Sequence, residues 1–393
     1  MKILTALFSV LFASTSFSQT LQNDNGWRPA WGLDRIDQRE EALNDTYNYT
    51  LTGAGVTVYV FDSGINSSHE EFTGRIEPGF NVIEDAYGTE DCAGHGSHTA
   101  SLIGGTTYGV AKQVKLIPVR VLNCRAGNSS SATLYAAINW VIEHHQTGVP
   151  AIINLSVGMS KSIAFNEAAQ ALIADGLIVV AAAGNQNRDA CLYSPASEPS
   201  VISVGGTDRA ALRASYSNYG ACVDIFAPGS DLVGGWFGST NIYRSSSGTS
   251  NAAPIVSGIV ALMLQDNPSL TQSQVEEQLK TNATRDVLFN IGTGSQNLLA
   301  YSLFDVISPV PTTTVPVTTT TTPVVVVTTT TVVAQPTTTT PVVQPVRTTI
   351  PIPSDLTCTK AAARTYFYGV PYVCSNGGNG LRWILKQYSP GRP

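Results

Sequence analysis

The sequence predicts an α/β protein in which a mostly parallel central sheet carries helices on both faces. Between about residues 27 and 304, apolar and β-branched runs of strand length alternate with helix-like runs. This rhythm is typical of parallel sheets, because the connection between two parallel strands is usually a helix. In such sheets the functional groups lie beyond the carboxyl ends of the strands.

The predicted elements follow one another along the chain in that alternation. Strands are predicted at 57–61, 115–121, 151–155, 177–182 and 201–204. Helices are predicted at 98–103, 133–143, 166–175 and 255–264. The first strand ends at Asp62 and the last helix follows Ser250, so polar groups stand where strands end and helices begin.

The N-terminal segment predicts secretion. Lys2 precedes an apolar run over residues 3–12, and small residues continue to Ser18. This pattern predicts a signal peptide over 1–18, cleaved near Ser18–Gln19. The apolar run is too short to span a membrane, and no later run is a convincing span. Six cysteines fit an oxidising compartment. We therefore expect a secreted, extracellular protein.

The C-terminal part has a different composition. Residues 307–354 are almost entirely Thr, Pro and Val, which predicts an extended linker that cannot bury a core. Residues 355–393 form a small module that contains Cys358, Cys374 and several aromatics, and a module of this size needs a staple. Binding of a surface or carbohydrate and simple aromatic packing around a disulfide both remain open for it.

The charge of the chain argues against nucleic acid. The formal net charge is −6 and only 13% of the residues are charged. No basic run or basic-aromatic stripe is present in the sequence. We expect a monomer without a nucleic-acid partner.

The most informative segment is 247–254, with the sequence Ser-Gly-Thr-Ser-Asn-Ala-Ala-Pro. Pro254 is expected in the first turn of a helix, where a missing N–H costs nothing. Ser250 then lies at the helix N-terminus, where N–H groups and the dipole favour negative charge. Taken alone, Ser250 is equally well interpreted as an N-cap.

Two further motifs decide between these interpretations. Asp62 follows the first strand, and His95 stands in the Gly-His-Gly-Ser-His segment that opens a helix-like run. The order Asp, His, Ser is that of the subtilisin triad. With these three motifs and their flanking glycines, the chain resembles the subtilisin-like serine proteases. Its first four cysteines resemble those of the proteinase K and aqualysin branch.

The resemblance implies a subtilisin-like three-layer fold for a protease domain over residues 19–306. It implies an endopeptidase in which Ser250 is the nucleophile of an acyl-enzyme mechanism, His95 the base and Asp62 the group that orients His95. Asn185, after the strand at 177–182, corresponds to the family's oxyanion donor. His98 corresponds to a structural histidine.

Protein and peptide substrates are expected to bind as an added strand. By resemblance, one wall is Ser156, Val157 and Gly158, and the other includes Ala126 and Gly127. Ala183 and Gly184, with Ala182, are expected around the residue before the cut. These walls are small and contain no carboxylate, which favours apolar or aromatic side chains there. Tight packing is the alternative explanation for the glycines and alanines.

The resemblance also implies disulfides and calcium. The first four cysteines match a disulfide pattern of this branch, Cys92–Cys124 and Cys191–Cys222, which leaves Cys358–Cys374. Pro199, Val201 and Asp224 match a Ca²⁺ site of proteinase K, and oxygen ligands suit that ion. Asp34, Asp37 and Gln38 resemble a second Ca²⁺ site, for which a solvated acidic cluster is the alternative.

The chain departs from the family at several positions. Asn251 replaces a methionine, Ile255 a histidine, and Met159 a glycine whose replacement could narrow the cleft. Only about a dozen residues separate Ser18 from Trp31, where relatives carry a prodomain. Unaided folding, a helper in trans and an incomplete chain all remain open. The rival function is a catalytically impaired homologue that binds peptides or polysaccharide.

Overall fold

The structure is a computed structural model. It describes residues 16–21, 30–40, 42–127 and 131–304, and the backbone of 364–367, 370–377 and 380–385. Most of the expected signal peptide, the whole 307–354 linker and Cys358 lie outside the described residues. The predictions made for them, including Cys358–Cys374, therefore stay predictions.

The described residues form six α-helices and 18 strands. Its first strands and helices are α1 (Trp31–Ile36), α2 (His95–Gly104), α3 (Ser131–His144), β1 (Phe17–Thr20), β2 (Thr46–Tyr49), β3 (Thr57–Asp62), β4 (Phe80–Asn81) and β5 (Lys115–Arg120). The middle of the chain forms α4 (Ile163–Ala174), β6 (Ala151–Leu155), β7 (Met159–Ser160), β8 (Ile178–Ala182), β9 (Tyr193–Ser194) and β10 (Ile202–Thr207). There follow α5 (Thr249–Asp266), α6 (Gln272–Asn282), β11 (Ile225–Pro228), β12 (Leu232–Gly235), β13 (Tyr243–Ser246), β14 (Thr284–Arg285) and β15 (Leu298–Leu299). The last strands are β16 (Arg364–Phe367), β17 (Val370–Gly377) and β18 (Gly380–Leu385).

The central sheet has nine strands in the order β14-β15-β11-β10-β8-β6-β3-β5-β4. All neighbouring pairs are parallel except β14 and β15. All five predicted strands belong to this sheet. The prediction of an α/β fold with a mostly parallel sheet is thereby confirmed.

Alternate residues of the central strands face different helices. Val58 and Val60 of β3 belong to an apolar cluster that includes residues of α2 and α5. Tyr59 and Phe61 of the same strand belong to a second cluster with residues of α3 and α4. Because strand side chains alternate between faces, this division places helices on both sides of the sheet.

Helix α5 lies in the core. It has 18 residues, and those from Ala252 to Leu264 are all buried. A helix that is apolar on every side must be enclosed by other elements, and α5 packs against α2 as well as strands β6, β8 and β10. The observed start at Thr249 lies six residues before the predicted 255, because the polar first turn continues the same helix.

The N-terminal strand crosses the expected cleavage point. Strand β1 pairs antiparallel with β2, and the register sets Ser18 opposite Asn48 and Gln19 opposite Tyr47. A chain beginning at Gln19 keeps the pairs of Gln19 and Thr20. Among the described residues, no helix is both long and apolar enough to cross a membrane.

Candidate active site

Asp62 and His95 meet where β3 ends and α2 begins. His95 Nδ1 lies 2.7 Å from Asp62 Oδ1 and 2.8 Å from Oδ2. The Asp62 carboxylate is fully buried and also accepts hydrogen bonds from the backbone N–H of Ser63 and the hydroxyl of Thr99. Its contact with Nδ1 fixes the imidazole orientation and leaves Nε2 free to accept a proton.

A second buried carboxylate supports this pair. Asp91 Oδ1 accepts from Ser63 Oγ at 2.9 Å and from the N–H of Gly94 at 2.8 Å, while Oδ2 accepts from the N–H and hydroxyl of Ser97. Ser63 Oγ in turn accepts from the N–H of Gly96 at 2.9 Å. Asp91 therefore connects the end of the Asp62 strand to the start of the His95 helix.

The charge balance at His95 favours protonation. Burial lowers the pKa of His95, but the neighbouring Asp62 and, more weakly, Asp91 stabilise the imidazolium and leave the pKa above its ordinary value. His98 behaves in the opposite way. Its ring bonds the carbonyl of Leu232 at 3.0 Å, and burial lowers its pKa to about 4. His98 is thus held as a neutral residue of the core.

Ser250 lies in the first turn of α5, beside Asn185. A Cβ atom at Gly248 would lie 2.8 Å from Ser250 Oγ and 3.3 Å from Asn185 Nδ2, so both atoms border the same small space. Any side chain at Gly248 would fill it. The first-turn N–H groups of a helix have no intrahelical partner and add donors at this place.

The orientation of the Asn185 amide is set by its neighbours. Asn185 Oδ1 accepts from the backbone N–H and from the hydroxyl of Thr249, both at 2.8 Å. Since a backbone N–H can only donate, the oxygen must face Thr249 and the Nδ2 group must face the Ser250 side. The N–H of Gly184 donates to Thr249 Oγ1 at 3.1 Å and holds that hydroxyl in place.

Pro254 has a different position from the one expected. It is not in the first turn, because α5 begins at Thr249. A residue at 254 would normally donate its N–H to the carbonyl of Ser250, and proline has none. Ser156 Oγ donates to that carbonyl instead, at 2.9 Å. Because Pro254 has no N–H, the Ser250 carbonyl is available to Ser156, and this hydrogen bond connects the expected substrate wall to the expected nucleophile.

His95 and Ser250 are not directly bonded. Among the described residues, no hydrogen bond joins His95 Nε2 to Ser250 Oγ. The two stand at the N-termini of α2 and α5, which pack against each other. Contacts between nucleophile and base are often looser without substrate.

A cleft of about 350 Å³ opens beside His95. Its walls contain four of the expected substrate-binding residues together with three larger apolar side chains. The lining residues are His95, Leu122, Ala126, Leu134, Ser156, Val157, Gly158 and Met159. Met159 therefore borders the cleft, as its position predicts.

Three other expected contact residues do not line this cleft. Gly127 follows Ala126 and donates its N–H to Asn123. Ala183 is fully buried and packs with Phe226, and its carbonyl accepts from Asn218. Gly184 adopts a φ of +103° next to Asn218. A role of these three in substrate binding stays a prediction.

Two disulfides and a buried arginine brace the site. The structure joins Cys92 to Cys124 and Cys191 to Cys222, as the resemblance implied. Arg120 is fully buried, pairs with Asp85 at 2.5 Å and donates to the carbonyl of Ser63 at 3.1 Å. Its guanidinium also lies 3.2 Å from the sulfur of Cys92. This cation anchors the residue that follows Asp62.

The acidic cluster near the N-terminus fits a cation. Asp34 accepts from the N–H groups of Asn44 and Asp45, and Gln38 Oε1 accepts from the Asn44 side chain at 2.8 Å. Asp37 Oδ2 accepts twice from Asn48, but buried Oδ1 has no partner. Burial raises the pKa of Asp37 to about 6, and the nearby Asp34 adds to the rise. A cation would relieve both costs.

The other expected calcium site, at Pro199, Val201 and Asp224, has no carboxylate oxygen without a partner. Asp224 Oδ1 is bonded to the Lys280 ammonium at 2.8 Å, and Oδ2 accepts from the N–H of Ser203 at 2.9 Å. Pro199 is exposed, and Val201 is buried with its N–H bonded to Glu198. Both carboxylate oxygens of this group therefore have partners from the chain itself.

Comparison with known proteins identifies the class. The profile of Peptidase S8, the Subtilase family, matches residues 53–301. An extracellular serine proteinase of Thermus sp. (strain Rt41A) is 50% identical over 274 residues, which are 70% of this chain and 66% of that protein. Alkaline serine exoprotease A of Vibrio alginolyticus is 43% identical over 70% of this chain and 50% of its own length.

A solved structure agrees with these relatives. The crystal structure of a cold adapted subtilisin-like serine proteinase has a TM-score of 0.67 and 42% identity, and the match covers 70% of this chain and 98% of that one. The chain belongs to the subtilase family. The matched part spans between half and two thirds of the length of the Vibrio and Thermus relatives.

Sequence reasoning missed several supporting residues. Asp91 is signalled only by an acidic residue shortly before a helix start, which is a common feature. Thr249 and Ser63 are small polar neighbours of the triad motifs. Arg120 and Lys280 carry no local signal, because their partners are distant in sequence.

Proposed function

We propose that the protein is a secreted serine endopeptidase that hydrolyses peptide bonds through an acyl-enzyme. The observation that carries the proposal is the contact of the buried Asp62 carboxylate with His95 Nδ1 at 2.7 Å, on a helix that packs against the one beginning at Ser250. Membership of the subtilase family supports it. The names of the Thermus and Vibrio relatives support proteolysis and, for the first, an extracellular location.

In this mechanism Ser250 Oγ attacks the carbonyl carbon of the scissile peptide bond. His95 Nε2 accepts the hydroxyl proton and then donates it to the leaving amine, so the C–N bond breaks and an ester to Ser250 forms. Water, deprotonated by the same nitrogen, attacks the ester; the acyl C–O bond to Ser250 breaks, and His95 returns the proton to Ser250 Oγ. Asp62 keeps the ring oriented and stabilises the imidazolium.

The charge of each tetrahedral intermediate develops on the former carbonyl oxygen. The Asn185 Nδ2 group and the first-turn N–H of Ser250 are the donors for it. Because Thr249 already holds Asn185 Oδ1 from two sides, the amide needs no reorganisation when the charge develops.

Substrate specificity follows from the cleft walls. Leu122, Leu134, Val157 and Met159 are apolar, and among the described residues that line the cleft His95 is the one ionisable group. We therefore propose a preference for apolar or aromatic side chains on the N-terminal side of the cut. Backbone groups of Ser156 to Gly158 would bind the substrate as an added strand.

Calcium belongs to this proposal as a structural ion. Asp34, Asp37 and Gln38 would hold it, since the two buried carboxylates include one oxygen without a partner and the half-buried Gln38 adds an amide oxygen. When bound, calcium supplies positive charge that balances the two carboxylates, and it takes no part in the chemistry.

Fluorophosphonate labelling of the full chain tests the nucleophile. We expect modification at Ser250 alone, and none in Ser250→Ala, which should keep the fold while peptide cleavage falls to a weak residual rate; removal of the triad serine costs roughly 10⁶-fold in kcat in subtilisin. An unreactive, folded wild type would instead support the peptide- or polysaccharide-binding alternative.

A peptide library with acetylated N-termini and amidated C-termini tests the type of cleavage. We expect internal cuts after apolar or aromatic residues. Cleavage only of peptides with a free terminus would indicate an exopeptidase. Met159→Gly is the matched variant for the cleft, and we expect it to accept bulkier residues without a change in labelling.

A further inference from the structure

Asp224 already has a cation from its own chain. The Lys280 ammonium lies 2.8 Å from Asp224 Oδ1 and 2.6 Å from Glu276 Oε1. The side chains are only 25%, 16% and 23% exposed for Lys280, Asp224 and Glu276. Two carboxylates thus share one lysine in a partly buried position, where an ion pair is screened less than at the surface.

The position of Lys280 is fixed by helix α6. A capping box of Thr271 and Gln274 begins this helix. The side chain of Gln272 exchanges hydrogen bonds with the backbone of Val179 in β8. Glu276 and Lys280 are four residues apart, with the acidic residue first, which is the favourable order on a helix.

The same helix also binds the loop that the family resemblance assigns to calcium. Gln272 Nε2 donates to the carbonyl of Ser200 at 2.7 Å, between Pro199 and Val201. Lys280, in the last turn of the same helix, pairs with Asp224. Helix α6 therefore connects the loop at Pro199 to Val201 with the Asp224 carboxylate, as a calcium ion bound to both would do.

A calcium ion requires several oxygen ligands at short distance, and an ammonium group beside the same carboxylate repels it. We propose that Lys280 is a built-in cation that replaces calcium at Asp224, so that this region is stable without metal. The replacement concerns stability alone and is independent of the proposed protease activity.

Melting temperatures of the full chain test the replacement. All variants carry Ser250→Ala, which prevents self-digestion, and each is measured with calcium and with a chelator. Lys280→Met should melt about 2–4 °C lower than its parent in chelator, and calcium should restore it, because Asp224 and Glu276 are then open to the ion. Asp224→Asn, with Lys280 unchanged, should melt below its parent by the same amount in calcium and in chelator.

The control is Lys115→Met, which removes an exposed lysine that pairs with Glu77 at 2.6 Å. It should leave the melting temperature and its calcium response unchanged. Lys280→Arg keeps the charge and should behave like its parent, so it reports on the proposal even if Lys280→Met does not fold.

Three results would overturn the proposal. A smaller calcium response in Asp224→Asn would show that the ion displaces Lys280. An unchanged melting temperature of Lys280→Met in chelator would show that the lysine contributes nothing. If calcium did not restore the melting temperature of Lys280→Met, then Lys280 would form an ordinary ion pair with Asp224 and Glu276 and would not replace a calcium ion. None of these results depends on cleavage of any substrate.

Discussion

The carboxylates at the proposed catalytic end, Asp62 and Asp91, and those near the N-terminus, Asp34 and Asp37, differ in how many of their oxygens have hydrogen-bond partners. Every carboxylate oxygen of Asp62 and Asp91 accepts a hydrogen bond from a neighbouring residue. Asp37 keeps one buried oxygen without a partner, and its pKa is raised to about 6. At the first site the carboxylates are therefore satisfied within the chain, whereas the N-terminal cluster leaves one carboxylate oxygen for a cation from solution.

This comparison predicts that variants at the two ends change different quantities. Changes at the catalytic end should alter rates and pH profiles but leave the calcium response of stability intact. Changes at the N-terminal cluster should do the reverse.

Among the variants that keep the triad, the largest effect is expected from Asn185→Ala. Loss of the amide should reduce kcat by about 10²–10³-fold with little change in KM, because it bonds charge that exists only in the transition state. Steady-state kinetics on a peptide substrate measures this. Thr249→Val is the matched variant: it keeps the amide, removes one of its supports, and should lose less. A change confined to KM would assign Asn185 to ground-state binding.

A shift of the pH profile is expected from Asp91→Asn. As the proposed base, His95 must be neutral, so we expect activity to fall as the pH drops through its raised pKa. Removing the Asp91 charge destabilises the imidazolium, lowers the pKa, and should move the acid limb of kcat/KM to lower pH. Ser63→Ala removes a hydrogen bond of the same group without a charge and should leave the limb in place. Equal shifts in both would contradict an electrostatic role.

Calcium-dependent stability should respond to Asp37→Asn. In the Ser250→Ala chain, an ion that binds only the native state stabilises by about 2.7 kcal/mol at a hundredfold excess over Kd. We expect most of the calcium-induced rise in Tm to disappear in Asp37→Asn, while Asp266→Asn, a change of an exposed carboxylate at the end of α5, keeps it. Active Asp37→Asn should retain its initial rate. An undiminished calcium response would remove the ion from this cluster.

The smallest effect concerns a residue next to the nucleophile. Asn251 is 1% exposed, and neither polar atom of its amide has a partner. A leucine of similar shape should raise the free energy of unfolding by about 1–3 kcal/mol, since an unsatisfied buried amide is removed. Asn251→Asp should lower it. Urea denaturation of the Ser250→Ala chain measures both, and a leucine variant less stable than its parent would show that the amide is satisfied.

The sequence predicted the sheet well and the supports of the site poorly. Strands such as 151–155 are continuous apolar runs that a buried parallel strand requires, so their pattern is unambiguous. The sequence predicts Pro254 in the first turn of α5, whereas the helix begins at Thr249, because the polar residues 249–251 hide its start. Short elements such as β12 and β13 have no strong periodicity. Lys280 and Asp224 are far apart in sequence, and only the packing of α6 brings them together.

The burial of helix α5 has a consequence for how activity is lost. Ser250 belongs to the first turn of a helix whose residues from Ala252 to Leu264 are enclosed by the core. Segments of this kind open only with the whole domain, in contrast to loops that fluctuate independently. Ser250, the proposed nucleophile, therefore lies in the last part of the protein to unfold. We therefore expect thermal inactivation and global unfolding to occur at the same temperature, without a partly folded species in which only the Ser250 region is unfolded.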